Sequence, residues 1–234
     1  MVVKYAIRYV PKKPSRCNKQ NMCFFTSKKD RYQRQGQNYL IRGKYRKALE
    51  CFQKAILLED SSENLFNLAL AFIALKKFEQ AEKYLEKIHL NYPDNEINSL
   101  SLADCYLRQR KWKKAINIYK ELVEKNPRNK SYKKYLTRAE DVVDREKYIN
   151  GRELFDQAQL ESEKKNHQSA ADLLLQALEY TPDDPNLLNN LAFALMKLKK
   201  YSPAYKYIER ALQLSPHNEK IKKNLLAIKR KLRR

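Results

Sequence analysis

An alanine-centred pattern that returns every 33 or 34 residues limits what this chain can fold into more than any other feature. Ala81 has a small residue, Ala69, twelve positions before it and an aromatic one, Phe72, nine before it. Leu85, Ile88 and Pro93 follow at four, seven and twelve positions after it. The same frame fits Ala115 with Ala103, Tyr106, Tyr119, Leu122 and Pro127, and Ala48 with Gly36, Tyr39, Phe52, Ala55 and Asp60. It fits Ala170 with Ala158, Glu161, Leu174, Ala177 and Pro182, and Ala204 with Ala192, Leu195, Ile208, Ala211 and Pro216. The anchors stand 33, 34, 55 and 34 residues apart, and 55 is one period plus 21, so one unit is truncated. A period of this length signals a linear array in which each unit covers the apolar face of the next.

Small and aromatic positions in this order, closed by proline, resemble the tetratricopeptide repeat family across residues 29–218. Glu161 stands where an aromatic residue belongs, and Asp60 replaces a closing proline. The resemblance implies an all-α fold, an α-solenoid of helix–turn–helix repeats, three plus two with capping helices. The small residues, Gly36 opposite Ala48 or Ala69 opposite Ala81, are expected to let two antiparallel helices approach closely. Proline, lacking an N–H, is expected where a helix stops.

The expected organisation is a basic arm over residues 1–29, a first array over 30–148 and a second over 149–234. Residues 128–150 hold one apolar stripe (Tyr132, Leu136, Ala139, Val142, Val143, Ile149) that reads as a single capping helix. Gly151 marks the expected break, the alternative being one long helix from about residue 131 to 164. Residues 219–234 read as a basic amphipathic capping helix with Ile221, Leu225, Ile228 and Leu232 on one face.

Charge is concentrated at the two ends. The net charge is +22, of which residues 1–29 and 219–234 together supply +15. The basic tails include Lys4, Arg8, Lys12 and Lys13 at one end and Lys229, Arg230, Lys231, Arg233 and Arg234 at the other. Such clusters suit a nucleic acid or another acidic surface. This supports an alternative reading as an RNA- or ribosome-associated repeat protein.

Nothing in the sequence points to catalysis. His89, His167 and His217 are far apart, lack partners at metal-ligand spacing and read as solvated turn residues. Glycine-rich phosphate loops and paired metal ligands do not occur. No cofactor or metal is expected. Cys17, Cys23, Cys51 and Cys105 form no CxxC pair, which fits a reducing, cytoplasmic location. The sequence holds no apolar run of the ~20 residues that a membrane-crossing helix needs.

The resemblance also implies where a partner would bind, because first helices of such repeats line a concave face. In the first array that face takes Phe66, Leu70, Ile73, Leu100, Asp104, Leu107 and Arg108. In the second it takes Phe155, Gln159, Asn189, Asn190, Phe193, Lys197 and Lys220. Another protein, as a peptide or an amphipathic helix, is the expected occupant. The resulting expectation is a non-enzymatic interaction scaffold or adaptor.

Overall fold

Local chemistry explains where each helix starts and stops. A computed structural model describes residues 27–233, and the described residues form twelve helices and no strand. Three hairpins come first: α1 (Lys28–Ile41) with α2 (Tyr45–Leu58), α3 (Ser62–Ala74) with α4 (Phe78–Asn91), and α5 (Glu96–Arg108) with α6 (Trp112–Lys125). Then follow α7 (Lys130–Glu140), α8 (Val142–Glu163) with α9 (His167–Tyr180), α10 (Pro185–Lys197) with α11 (Tyr201–Leu214), and α12 (Glu219–Leu232).

First helices begin with side-chain caps. Ser27, Ser61, Asn95, Asp141 and Asp184 each accept a backbone N–H of the next turn, satisfying donors that the helix itself cannot. Second helices stop where the sequence expects. Pro93, Pro127, Pro182 and Pro216 each follow directly on the residue that closes α4, α6, α9 and α11.

The turn inside every hairpin is the same. In the second one, Lys76 N–H donates to Ile73 C=O at 2.9 Å and Lys77 N–H to Phe72 C=O at 2.9 Å. This crossed pair is the Schellman arrangement, which requires a left-handed residue between the helices. Gly43 (φ 72°), Lys76 (61°), Arg110 (56°), Lys165 (66°) and Lys199 (61°) fill that place, each seven residues after its small anchor. Only the first hairpin uses glycine, the residue without a steric penalty there.

The chain divides into two compact units, one ending at Glu140 and the other beginning at Asp141. In the first, α1 to α7 pack in sequence, each helix against the next; in the second, α8 to α12 do the same. The anchors fill the tightest places: Ala48, Ala69, Ala81, Ala103 and Ala115 in one unit, and Ala158, Ala170, Ala192 and Ala204 in the other, are all buried. Phe52, Leu68, Leu85, Ile88 and Leu102 form the bulk of the first core, and Leu188, Leu191, Ile208, Ile221 and Ile228 that of the second. Complete burial of each such side chain contributes about 1.5–3 kcal/mol.

A Cβ placed on Gly36 would lie 2.5 Å from the Phe52 ring, so Phe52 fills the space that glycine leaves. One expectation needs correction. The helix break falls at Asp141 rather than at Gly151, so residues 128–150 are not a single helix. The extra 21 residues, 130–150, comprise α7, Asp141 and the start of α8. Gly151 lies inside α8, where an added Cβ would come within 3.1 Å of Tyr180 Cβ. It serves close approach of α8 and α9, and the boundary expected between residues 148 and 149 lies within α8.

Polar ties cross the repeats of the first unit. Glu82 is only 7% exposed, and its carboxylate accepts from Lys111 Nζ at 2.6 Å and Gln109 Nε2 at 2.6 Å. Tyr106 donates to Glu86 at 2.6 Å, and Tyr132 donates to Glu96 at 2.5 Å. Burial, and then the carboxylate beside each phenol, push both groups above the usual tyrosine range. Asn64 accepts from Gln33 Nε2 at 2.6 Å, joining α1 to α3.

Two substitutions test this packing. Gly36→Ala should destabilise the protein by about 1–3 kcal/mol in urea unfolding, because the buried Phe52 ring must move. Lys199→Gly should leave the fold unchanged and stabilise it by about 0.5–1 kcal/mol, since relief of the left-handed strain outweighs glycine's entropy cost. A lower midpoint for Lys199→Gly would contradict the turn geometry.

Candidate partner-binding surface

The implied binding residues divide by burial once packing is seen. In the first unit Leu70, Ile73 and Leu107 are buried in the core. Phe66, Leu100, Asp104 and Arg108 stay half-buried on the first helices α3 and α5. Phe66 and Leu100 occupy one repeat position, three residues before Ala69 and Ala103. The Arg108 guanidinium lies 4.9 Å from the centre of the Phe78 ring. Beside Phe66, Asn67 is itself buried, and its Nδ2 has no hydrogen-bond partner. An unmet buried donor costs free energy of order 1–3 kcal/mol, which makes it notable here.

In the second unit Phe155 is buried, with the Arg152 guanidinium 5.3 Å from its ring centre. Asn189 is also buried. Its Nδ2 donates to Asn190 Oδ1 at 3.3 Å, and its Oδ1 accepts from Asn224 Nδ2 at 2.8 Å. A row of three amides thus joins α10 to α12. Phe193 is half-buried with Lys197 Nζ 5.3 Å from its ring, and Gln159, Lys197 and Lys220 are exposed. The sequence expected Asn189 to face a ligand, whereas its amide is already engaged by a neighbouring helix.

Of the tail residues, Lys229, Arg230, Lys231 and Arg233 are exposed at the end of α12. Lys4, Arg8, Lys12, Lys13 and Arg234 lie outside the described residues, as do Cys17 and Cys23. His89 departs from the expected solvated turn histidine. It bonds Ser99 Oγ at 3.1 Å and sits 3.3 Å from Glu121, tying α4 to α5 and α6. His167 has its Nδ1 buried, whereas His217 is exposed. Cys105 is buried, and that burial, with the nearby Asp104 and Glu82 carboxylates adding to it, raises its thiol well above the ordinary range.

Among the described residues no group of three or more His, Cys, Asp or Glu could hold a metal ion. None of the described helices is long and apolar enough to cross a membrane.

Family models described as tetratricopeptide repeat match residues 30–61, 66–130 and 185–218. The chain belongs to the tetratricopeptide repeat family. Repeats of this family build protein-interaction scaffolds, and the all-helical hairpin array is of that type. The repeat protein is 32% identical over 112 residues to BBSome complex member BBS4 of Bos taurus. That match covers 46% of this chain and spans only 21% of the relative. Among solved structures, TTC0263, a thermophilic TPR protein of Thermus thermophilus, is 17% identical with a TM-score of 0.46, covering 86% of this chain and 98% of that one. The TPR2AB-domain:pHSP90-complex of yeast Sti1 is 18% identical with a TM-score of 0.42, covering 87% and 84%.

The amide row gives a testable consequence. Asn224→Ala should remove the donor to Asn189 Oδ1 and leave that buried oxygen unmet. The expected loss is about 1–3 kcal/mol by thermal unfolding. An unchanged melting temperature would mean that the row contributes nothing to packing of α12.

Proposed function

We propose that this tetratricopeptide repeat protein is a non-catalytic adaptor that holds a segment of another protein on the first-helix face of its first unit. The supporting observation is the pairing of Phe66 and Leu100. Equivalent positions on successive first helices keep half-buried apolar side chains. Apolar side chains open at one repeat position offer anchor points for side chains of a bound segment. Asp104 and Arg108 stand on the same helix as Leu100 and add polar groups of both signs.

In the second unit, Phe193, Asn190 and Lys197 form a more polar counterpart. Its amides are largely spent on internal bonds, so the first unit is the better candidate for the anchor.

Affinity capture on immobilised full-length protein tests this reading. Phe66→Asp with Leu100→Asp should reduce captured partners at least tenfold, the loss of ~1.4 kcal/mol or more. Leu57→Asp with Leu90→Asp, at sites 85% and 82% exposed on second helices, should leave capture unchanged. Circular dichroism should show both variants folded. Equal loss from the two pairs, or retention by the first, would refute the assignment.

A further inference from the structure

The inner turns of the hairpins carry a recurring charge that the binding face of the first unit does not use. Within the second unit, Lys165, Lys199 and Arg233 stand 34 residues apart at equivalent places in the repeat. Helices α10 and α12 both run antiparallel to α11, across connections of three and four residues. Their C-terminal ends therefore lie at the same edge as the start of α11. The 2.8 Å bond between Asn224 and Asn189 holds the two helices side by side. Lys229 Nζ lies 5.7 Å from the ring of Tyr205, in the first turns of α11.

This arrangement gathers Lys197, Lys199, Lys200, Lys229, Arg230 and Arg233 along one edge, all exposed. Residues 195–206 and 227–233 contain no acid. Lys197, Lys199, Lys229 and Arg230 form no ion pair with a described residue, and Lys200 reaches only the Gln168 side chain, at 3.3 Å. The nearest carboxylate on α11, Glu209, already accepts from Tyr205. In the preceding repeat Lys164 is paired with Glu161, and Glu163 is exposed nearby, so the positive edge is strongest at α10 to α12.

Stability of the fold does not account for this charge. Cations at the C-termini of α10 and α12 suit the helix dipole, which covers Lys197 and Lys229. Lys199 and Lys200 are different. Lys199 holds the left-handed turn position, where glycine is more stable. Lys200 is the first boundary residue of α11 and makes no side-chain cap, where Ser, Asp or Asn would stabilise the helix. It also adds positive charge at the positive end of the α11 dipole. Two sites are therefore occupied by lysine against local preference.

We propose that this edge of the second unit binds the phosphate backbone of single-stranded RNA. A line of cations repeating once per hairpin suits a polymer of regularly spaced phosphates. A lipid surface fits less well, because only two largely exposed apolar side chains, Leu226 at 51% and Leu232 at 43%, are found among the described residues of α12. Recognition is through charge and is independent of base sequence.

Fluorescence anisotropy of the full chain with a labelled oligouridylate of about 20 nucleotides, titrated across salt, tests the proposal. The edge variant combines Lys199→Gln, Lys200→Gln, Lys229→Gln and Arg230→Gln. It should bind at least tenfold more weakly, with the slope of log K against log salt shallower by roughly 3, at about 0.7 per lost phosphate contact. A charge-matched variant in the first unit combines Lys47→Gln, Lys83→Gln, Lys133→Gln and Lys134→Gln, and should bind as the parent does. Replacing Lys199, Lys200 and Lys229 by Arg should also preserve affinity. Equal weakening by the two Gln variants would overturn the proposal, because attraction would then be spread over the molecule. So would an edge variant that keeps RNA binding but loses binding to phosphatidylserine vesicles or to polyglutamate.

Discussion

Close approach of two antiparallel helices at a small residue is the constraint on which every hairpin rests. Ala69 and Ala81, Ala103 and Ala115, Ala158 and Ala170, and Ala192 and Ala204 are buried at the seams. A larger side chain at a seam would separate the helices and open the contact that the next repeat covers. The first hairpin solves the same problem differently. Gly36 admits the ring of Phe52, so its seam is filled by an aromatic side chain reaching in from the partner helix.

The connection between the paired helices is equally uniform, and it explains a cost that the sequence carries. Each inner turn needs one left-handed residue, and four of the five are Lys or Arg. Outer connections are built on the opposite logic. There, short polar side chains cap the first helices, and acids such as Asp60, Asp94 and Asp183 pair with Lys87, Lys125 and Arg210. These exposed pairs contribute little individually. They do bias the outer connections toward acid and leave the inner turns basic. Long-range polar ties such as Glu82 with Lys111 then link one hairpin to the next.

Residues that one repeat frame assigns to a single face differ in how far the fold buries them. Leu70 and Phe66 lie four apart on α3, yet Leu70 is sealed in the core while Phe66 stays half-open. Asn189 and Asn190 are neighbours on α10, and only the second keeps some exposure. A repeat frame assigns all four to one face. Which of them can meet a partner depends on how far the adjacent helix advances over that face. The same dependence made His89 a bridge between helices rather than a solvated turn residue.

By itself the sequence determined the helical hairpins, their period, their small anchors and the proline stops, because each follows from spacing and backbone chemistry that a few neighbouring residues decide. It also determined that 21 residues interrupt the period, without saying how they are shaped. Only tertiary structure decided that the interruption breaks at Asp141 and keeps Gly151 helical. It likewise decided how closely the Phe52 ring fills the gap at Gly36, and that Asn189 spends its amide on Asn224. The reason is physical. Helix formation and capping are settled within a turn or two of chain, whereas burial and side-chain pairing depend on the distance between surfaces that are far apart in sequence.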